Sequence, residues 1–213
     1  MTKLGFIGLG IMGKPMAKNL LKAGYELIVY DLVKEAVEEL GQAGAQMAGS
    51  IAEVAKATDI IITMLPNSPH VKTVVLGEGG VLENAAEGTI IVDMSSISPI
   101  ASKEIAAECE KKGVILLDAP VSGGEPKAID GTLAIMVGGD EKAFQKVEKI
   151  LLVMGSSAVL VGETGSGNVT KLANQIIVAL NIAAMSEAMV LATKNGVDPE
   201  KVYHAIRGGL AGS

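Results

Sequence analysis

The chain has 213 residues, 49% of them hydrophobic, a mean hydropathy of +0.42 and a formal net charge of −6. That is enough for a sizeable core in one large domain, or in one domain plus part of another. A single arginine, Arg207, and 2% aromatic residues supply neither the basic surface nor the stacking rings of a nucleic-acid binder, so that class is disfavoured.

The chain opens on a short buried-strand pattern, Lys3 to Ile7, that runs into Gly8-Leu-Gly10-Ile-Met-Gly13. A helical pattern follows from Lys14 to Ala23, ended by Gly24, and then a second strand, Glu26 to Tyr30, with Asp31 at its end. This is a complete β-α-β unit with the G-x-G-x-x-G spacing. In such a unit the first glycine permits the tight turn, the second lets backbone approach a pyrophosphate, and the third packs helix on strand. Amides at the helix start then hold the phosphates, and Asp31 accepts from the adenosine ribose hydroxyls. Three glycines alone mark only a turn; the strands, helix and acid around them make dinucleotide binding the reading. A 2′-phosphate would meet the Asp31 carboxylate with only Lys34 nearby to offset it, so NAD is expected and NADP is less favoured.

Helical patterns continue at Val33 to Ala43 and Ser50 to Ala57, with Ser50 as N-cap. Asp59 to Leu65 reads as a strand stopped by Pro66, Pro69 to Leu76 as a helical turn, Thr89 to Asp93 as a strand and Ile100 to Lys112 as a helix. Val114 to Leu117, Leu133 to Val137 and Ala158 to Val161 read as strands, Glu141 to Val153 as a helix, and Asp118 to Pro126 as a loop. Strands alternating with helices at this spacing predict an α/β fold with a Rossmann-type, doubly wound, mostly parallel sheet.

After the glycines of 162–167 comes a stretch without proline, and without glycine from Asn168 to Asn195. It predicts one helix of about 28 residues, roughly 42 Å long. Its middle, Ile176 to Met185, is apolar nearly all round and is expected to be buried. The expected domains are 1–163, nucleotide-binding, and 164–213, a connecting helix that begins a second, all-helical domain; with a last helical pattern at Glu200 to Arg207, that domain reads as truncated. The longest apolar runs are about ten residues and carry Asn or Gly, about half a bilayer span. With no basic leader and a lone Cys109 unable to form an internal disulfide, a cytoplasmic protein without a membrane partner is expected.

Ligands of open α/β sheets bind beyond the carboxyl ends of the strands, where Pro66-Asn67, Ser95-Ser96 and Ser122-Gly123-Gly124 fall. Ser95 is placed to reach a cofactor; Ser98 reads better as an N-cap. Ser122-Gly-Gly offers a hydroxyl and backbone amides for a carboxylate, or else a plain glycine turn. Lys171 shares a helix face with Asn174 and Gln175. It is either a surface lysine or a half-buried proton donor. Asp93 and Asp118 end strands and read as caps. His70 and His204 have no metal-ligand partner at useful spacing, so no metal is expected. Cys109 lies between Glu108 and Glu110, which raise its pKa.

Gly5 to Gly13, Asp93-Met-Ser-Ser96, Asp118-Ala-Pro-Val-Ser-Gly-Gly124 and Gly167-Asn-Val-Thr-Lys171-Leu-Ala-Asn174 together resemble the β-hydroxyacid dehydrogenase family, over the whole chain. The resemblance implies cofactor contacts at Gly8, Leu9, Gly10, Ile11, Met12, Gly13, Asp31, Met64, Leu65, Pro66 and Ser95. It implies a catalytic role for Lys171, and substrate contacts at Ser95, Ser122, Gly123, Gly124, Lys171 and Asn174. Family members run on into a helical domain that closes the cleft and forms homodimers or homotetramers. Leu32 stands where many relatives carry arginine. The expected function is NAD(H)-dependent reduction of a small carboxylate-bearing aldehyde; a nucleotide-binding module without turnover is the alternative.

Overall fold

A computed structural model describes residues 3–211 of the chain. Gly212 and Ser213 lie outside the described residues. The chain divides into two compact units, Met1–Lys171 and Leu172–Ser213.

Six parallel strands form most of the first unit: β1 (Lys3–Ile7), β2 (Glu26–Tyr30), β3 (Gln46–Met47), β4 (Ile60–Thr63), β5 (Ile90–Asp93) and β6 (Ile115–Asp118). They lie in the order β3-β2-β1-β4-β5-β6, so the winding reverses between β1 and β4. The strands are runs of Ile, Val and Leu because both faces are covered, which suppresses the alternation of a half-exposed sheet. Helices α1 (Gly13–Lys22), α2 (Lys34–Gln42), α3 (Ile51–Ala57), α4 (Ser68–Leu76), α5 (Val81–Asn84) and α6 (Pro99–Glu110) link the strands. Two buried clusters result, one around Phe6, Leu20, Val29 and Leu117, the other around Ile7, Ile28, Ile61 and Ile105. Ser50 caps α3, its hydroxyl accepting from the Glu53 amide at 3.2 Å.

Beyond β6 the chain adds β7 (Val121–Ser122), α7 (Gly124–Asp130), β8 (Leu133–Gly138), α8 (Glu141–Met154) and β9 (Gly155–Gly162). β8 runs antiparallel to β6 and β7 and parallel to β9. The stretch from Asp118 to Pro126, expected as a loop, therefore holds a two-residue strand and the start of a helix. Gly123, at φ 139°, turns the chain between them.

Helix α9 (Ser166–Lys194) begins in the first unit and supplies most of the second, which otherwise holds α10 (Pro199–Ile206), N-capped by Asp198. The expectation that the middle of α9 is buried is not met in this chain. Only Gly167 and Asn168 are buried, and Ile176, Ile177 and Leu180 are each more than 60% exposed. One further short helix has too little apolar surface to cover it. The expectation that no stretch is apolar enough for a bilayer needs correction: α9 is long and apolar enough to cross one by length and composition, its most apolar 18 residues having a mean hydropathy of 1.9. Asn181 and the pair Ser186-Glu187 break the apolar runs there without bringing that mean down to the level of a polar helix.

Candidate active site

The Gly8–Gly13 turn joins β1 to α1 at the point where the sheet reverses. Gly8 has φ 99°, and a Cβ there would lie 2.2 Å from the Met64 carbonyl oxygen. A Cβ on Gly13 would lie 1.9 Å from the Gly8 carbonyl oxygen, so helix and turn touch backbone to backbone. Gly10 differs: a Cβ there meets nothing within 4 Å. Two glycines are thus fixed by the fold, and the middle one keeps open space outside it. The first turn of α1 has no side-chain cap and no acid, which suits an anion, while its Lys14 and Met16 amides donate to the Gly10 and Met12 carbonyl oxygens at 3.1 and 3.3 Å.

Asp31 reaches back to this turn. Its Oδ2 accepts from the Leu9 amide at 2.6 Å and its Oδ1 from the Val33 amide at 2.8 Å. Leu9, Gly10, Ile11 and Asp31 border a cleft of about 550 Å³. Lys14 and Lys18 also line it, but both are tied to Glu39 on α2, at 2.7 and 2.6 Å. Those two ammonium groups draw the Glu39 carboxyl down to about 2. Leu32 is 84% exposed beside Asp31. The open space at Gly10, the uncapped amides of α1 and the carboxylate of Asp31 together fit a dinucleotide.

The ends of β4, β5 and β6 are in register, Thr63 beside Asp93 and Asp93 beside Asp118. Ser95 is fully buried; its hydroxyl donates to Asp93 Oδ1 at 2.6 Å and accepts from the Leu65 amide at 2.8 Å. The structure therefore places the Ser95 side chain inside the protein, where it holds the Met64-Leu65-Pro66 turn. Asp93 Oδ1 also accepts from Thr63 Oγ1 at 2.8 Å and from the Ser95 amide at 3.2 Å, while Oδ2 has no partner among the described residues.

Burial pushes the Asp93 carboxyl up to about 6, and neighbouring Asp118 adds to the rise. The folded chain therefore holds this proton more firmly than the unfolded chain does. The charged carboxylate costs stability above pH 6, and the cost is relieved as pH falls toward the ordinary value of 3.8. Asp93→Asn removes the ionisation. Wild type is expected to gain about 1.4 kcal/mol relative to this variant between about pH 8 and about pH 5. Denaturant unfolding at the two pH values measures it, and equal gains in both proteins would rule it out.

Asp118 is a cap, as its position at a strand end predicts, and the helix it caps is α9. Its Oδ1 accepts from the Gly165 amide at 2.7 Å and its Oδ2 from the Asn168 amide at 2.8 Å. Ser98, by contrast, occupies the N-cap position of α6 without a side-chain capping bond. One turn beyond Asn168 stands Lys171, half-buried, with no ion pair among the described residues; burial alone lowers its pKa. In the same unit Ser122 ends β7, and Gly123 and Gly124 follow with φ 139° and 68°, a conformation that turns successive amides toward one side. Asn174 lies in the second unit, where its amide donates to Gln175 Oε1 at 2.8 Å.

The remaining candidates stay apart from this chemistry. Burial first, then Glu108, pushes the fully buried Cys109 thiol up to about 12, which makes it inert. His70 Nδ1 lies 2.5 Å from Asn67 Oδ1, and no cluster of metal-ligating side chains occurs among the described residues. Sequence reasoning passed over Asn168, whose signal was its place beside the glycines that open α9.

Two family profiles cover the chain. One, described as the NAD binding domain of 6-phosphogluconate dehydrogenase, matches residues 3–162; the other, the NAD-binding region of NADP-dependent 3-hydroxyisobutyrate dehydrogenase, matches 165–213. The chain is 50% identical over 211 residues to 2-hydroxy-3-oxopropionate reductase of Escherichia coli (strain K12), covering 99% of this chain and 72% of that protein. It is 46% identical to mitochondrial 3-hydroxyisobutyrate dehydrogenase of Mus musculus, covering 93% of this chain and 59% of that protein. Among solved structures, Mycobacterium tuberculosis 3-hydroxyisobutyrate dehydrogenase with L-serine superposes with a TM-score of 0.92 at 35% identity, over 99% of this chain and 72% of that one.

Proposed function

The chain belongs to the β-hydroxyacid dehydrogenase family of NAD(P)-dependent oxidoreductases, and from that premise we propose that it reduces tartronate semialdehyde (2-hydroxy-3-oxopropanoate) to D-glycerate with NADH. The observation that carries the reading is Lys171: a half-buried amine without a counterion among the described residues, one turn into a helix whose start is tied to a strand end of the sheet.

The bound nicotinamide supplies the hydride. Amides of the Gly8–Gly13 turn and of α1 hold the phosphates, and Asp31 accepts from the adenosine ribose. Backbone at Met64, Leu65 and Pro66, set by Ser95, borders the rest of the cofactor. Ser122, Gly123 and Gly124 hold the substrate carboxylate, with Asn174 as a second orienting amide. Lys171, protonated, stabilises charge on the aldehyde oxygen and gives that oxygen its proton; in the reverse direction it takes the proton back. Asp31 supports NAD over NADP, because a 2′-phosphate there faces a carboxylate.

The 46% identity to a 3-hydroxyisobutyrate dehydrogenase supports a second reading, oxidation or reduction of that or another short-chain semialdehyde pair. A panel of small semialdehydes with NADH and NADPH, followed at the reduced-nicotinamide absorbance, tests both. Tartronate semialdehyde is expected to give the highest kcat/KM, with NADH. A higher value for methylmalonate semialdehyde transfers the assignment to the second reading. NADH binding without oxidation on any aldehyde identifies a binding module instead. The protein is proposed to work in the cytoplasm, where the buried lone Cys109 stays reduced. A homodimer or homotetramer is proposed because the exposed apolar side chains of α9 are costly to leave in water. A monodisperse monomer in light scattering would count against it.

A further inference from the structure

We infer that Asp118 and Asn168 are positioning residues: together they form a buried clamp that fixes the first turn of α9 against the loop after β5 and so sets where Lys171 stands. The inference rests on the reading of Lys171 as the proton donor.

An ordinary helix cap is local, a Ser, Thr, Asp or Asn just before the first turn. Here the residues before α9 are Thr164 and Gly165, and the capping carboxylate comes from the end of β6, 47 and 50 residues away from the amides it binds. Both oxygens are used, one on Gly165 and one on Asn168. An anion at this end also suits the helix dipole.

Asn168 then spends its own amide on three other elements. Its Oδ1 accepts from the Ile97 amide at 3.0 Å, and its Nδ2 donates to Ser102 Oγ on α6 at 3.1 Å and to Asp118 Oδ2 at 3.4 Å. Asp118 is fully buried and Asn168 1% exposed. Close packing removes the room to roll. A Cβ on Gly167 would lie 2.5 Å from both the Asp118 and the Met136 carbonyl oxygens, and one on Gly138 would lie 2.5 Å from Asp118 Oδ1.

The clamp also joins the lysine to the cofactor side. Ile97 stands two residues after Ser95, and the Ser95 hydroxyl holds the Leu65 amide. From Leu65 through Ser95 and Ile97 to Asn168 and Asp118, the links are short hydrogen bonds and one short loop. Lys171 lies three residues past Asn168, about 4.5 Å along a rigid helix, so a tilt at the clamp moves the amine.

Two variants of the full chain test this. Asp118→Asn keeps the shape but turns one acceptor into a donor facing a backbone N–H. Asn168→Ser keeps the Asp118 bond to the backbone and cuts the links to Ile97 and Ser102. Each is expected to keep NADH Kd and aldehyde KM within about threefold of wild type while kcat falls about tenfold or more, because small misplacements of a reacting group are that costly. Trace acetylation of Lys171 against pH, read by mass spectrometry of its peptide, is expected to shift in both. Should Asp118→Asn fail to fold, Asn168→Ser carries the same test. A kcat within threefold of wild type overturns the clamp, as does a lower kcat with an unchanged Lys171 acetylation profile, or a loss of NADH binding that matches the loss of kcat. If wild type fails to oxidise NADH with every aldehyde of the panel, the proposed reaction fails; the acetylation profile still decides the clamp.

Discussion

Replacing Lys171 with alanine is expected to leave NADH binding within a few-fold of wild type and to remove nearly all turnover. The side chain is asked for two things, stabilising charge on the aldehyde oxygen and delivering a proton, each worth roughly 10²- to 10³-fold. The two effects share one ammonium, so the combined loss is expected at about 10³- to 10⁴-fold rather than their full product. Nothing in the fold opposes the change. Lys171 forms no ion pair among the described residues, and its removal relieves a partly desolvated charge. Lys171→Arg separates the two roles: the guanidinium keeps the charge but cannot release a proton near neutral pH, so it is expected to stay far below wild type. Burial lowers the lysine's pKa, which sets the direction of the pH profile. Reduction needs the protonated amine and weakens as pH rises through that lowered value; oxidation needs the free amine and strengthens over the same range. Stopped-flow fluorescence for NADH binding and steady-state turnover measure the split. Turnover of the alanine variant within tenfold of wild type removes Lys171 from the mechanism.

Much of this architecture can be read in the chain because its signals are local. Each long helix and each buried strand of the first unit declares itself through runs of Ile, Val and Leu bounded by Gly, Pro or a capping residue. The fingerprint glycines sit with their strand and helix inside one short β-α-β unit. What stayed hidden depends on partners distant in sequence. β3 has two residues and exists only because β2 offers an edge beside it. α7 begins inside Gly-Gly-Glu-Pro, whose composition reads as a turn, and only the positive φ of Gly123 shows where helix takes over. Asp118 could be recognised as a cap, but its helix begins far downstream, so its tie to Lys171 was out of reach. Ser95 reads from its place after a strand as able to reach a cofactor; its burial follows from Asp93 and Leu65, at two different strand ends. The apolar middle of α9 was misjudged for the opposite reason. Its composition states that it needs cover, and composition cannot say whether the cover belongs to the same chain.

The fingerprint glycines allow a sharper test, because one substitution is expected to fail in two different ways. Gly13→Ala puts a methyl 1.9 Å from the Gly8 carbonyl oxygen and 3.2 Å from the Phe6 ring. Backbone cannot yield there without parting β1 from α1, so the variant is expected to lose about 3 kcal/mol of stability, with or without cofactor. Gly10→Ala puts the same methyl into open space, and neither its φ nor a neighbour resists it. That variant is expected to unfold within about 2 °C of wild type, since a surface change away from packed contacts is usually small. Its cost falls on the ligand. Gly10 is where the backbone must come close to a pyrophosphate, and NADH affinity is expected to drop by about 10²-fold, near 2.7 kcal/mol. Thermal melting and NADH fluorescence titration on the two variants read both quantities. A Gly10→Ala protein that binds NADH as wild type does would mean the dinucleotide crosses the turn elsewhere. A Gly13→Ala protein of wild-type stability would mean the contact between helix and turn is not what holds β1 and α1 together. The opposed outcomes follow from geometry alone: the three glycines of one motif stand in one tight turn, one open cradle and one closed contact.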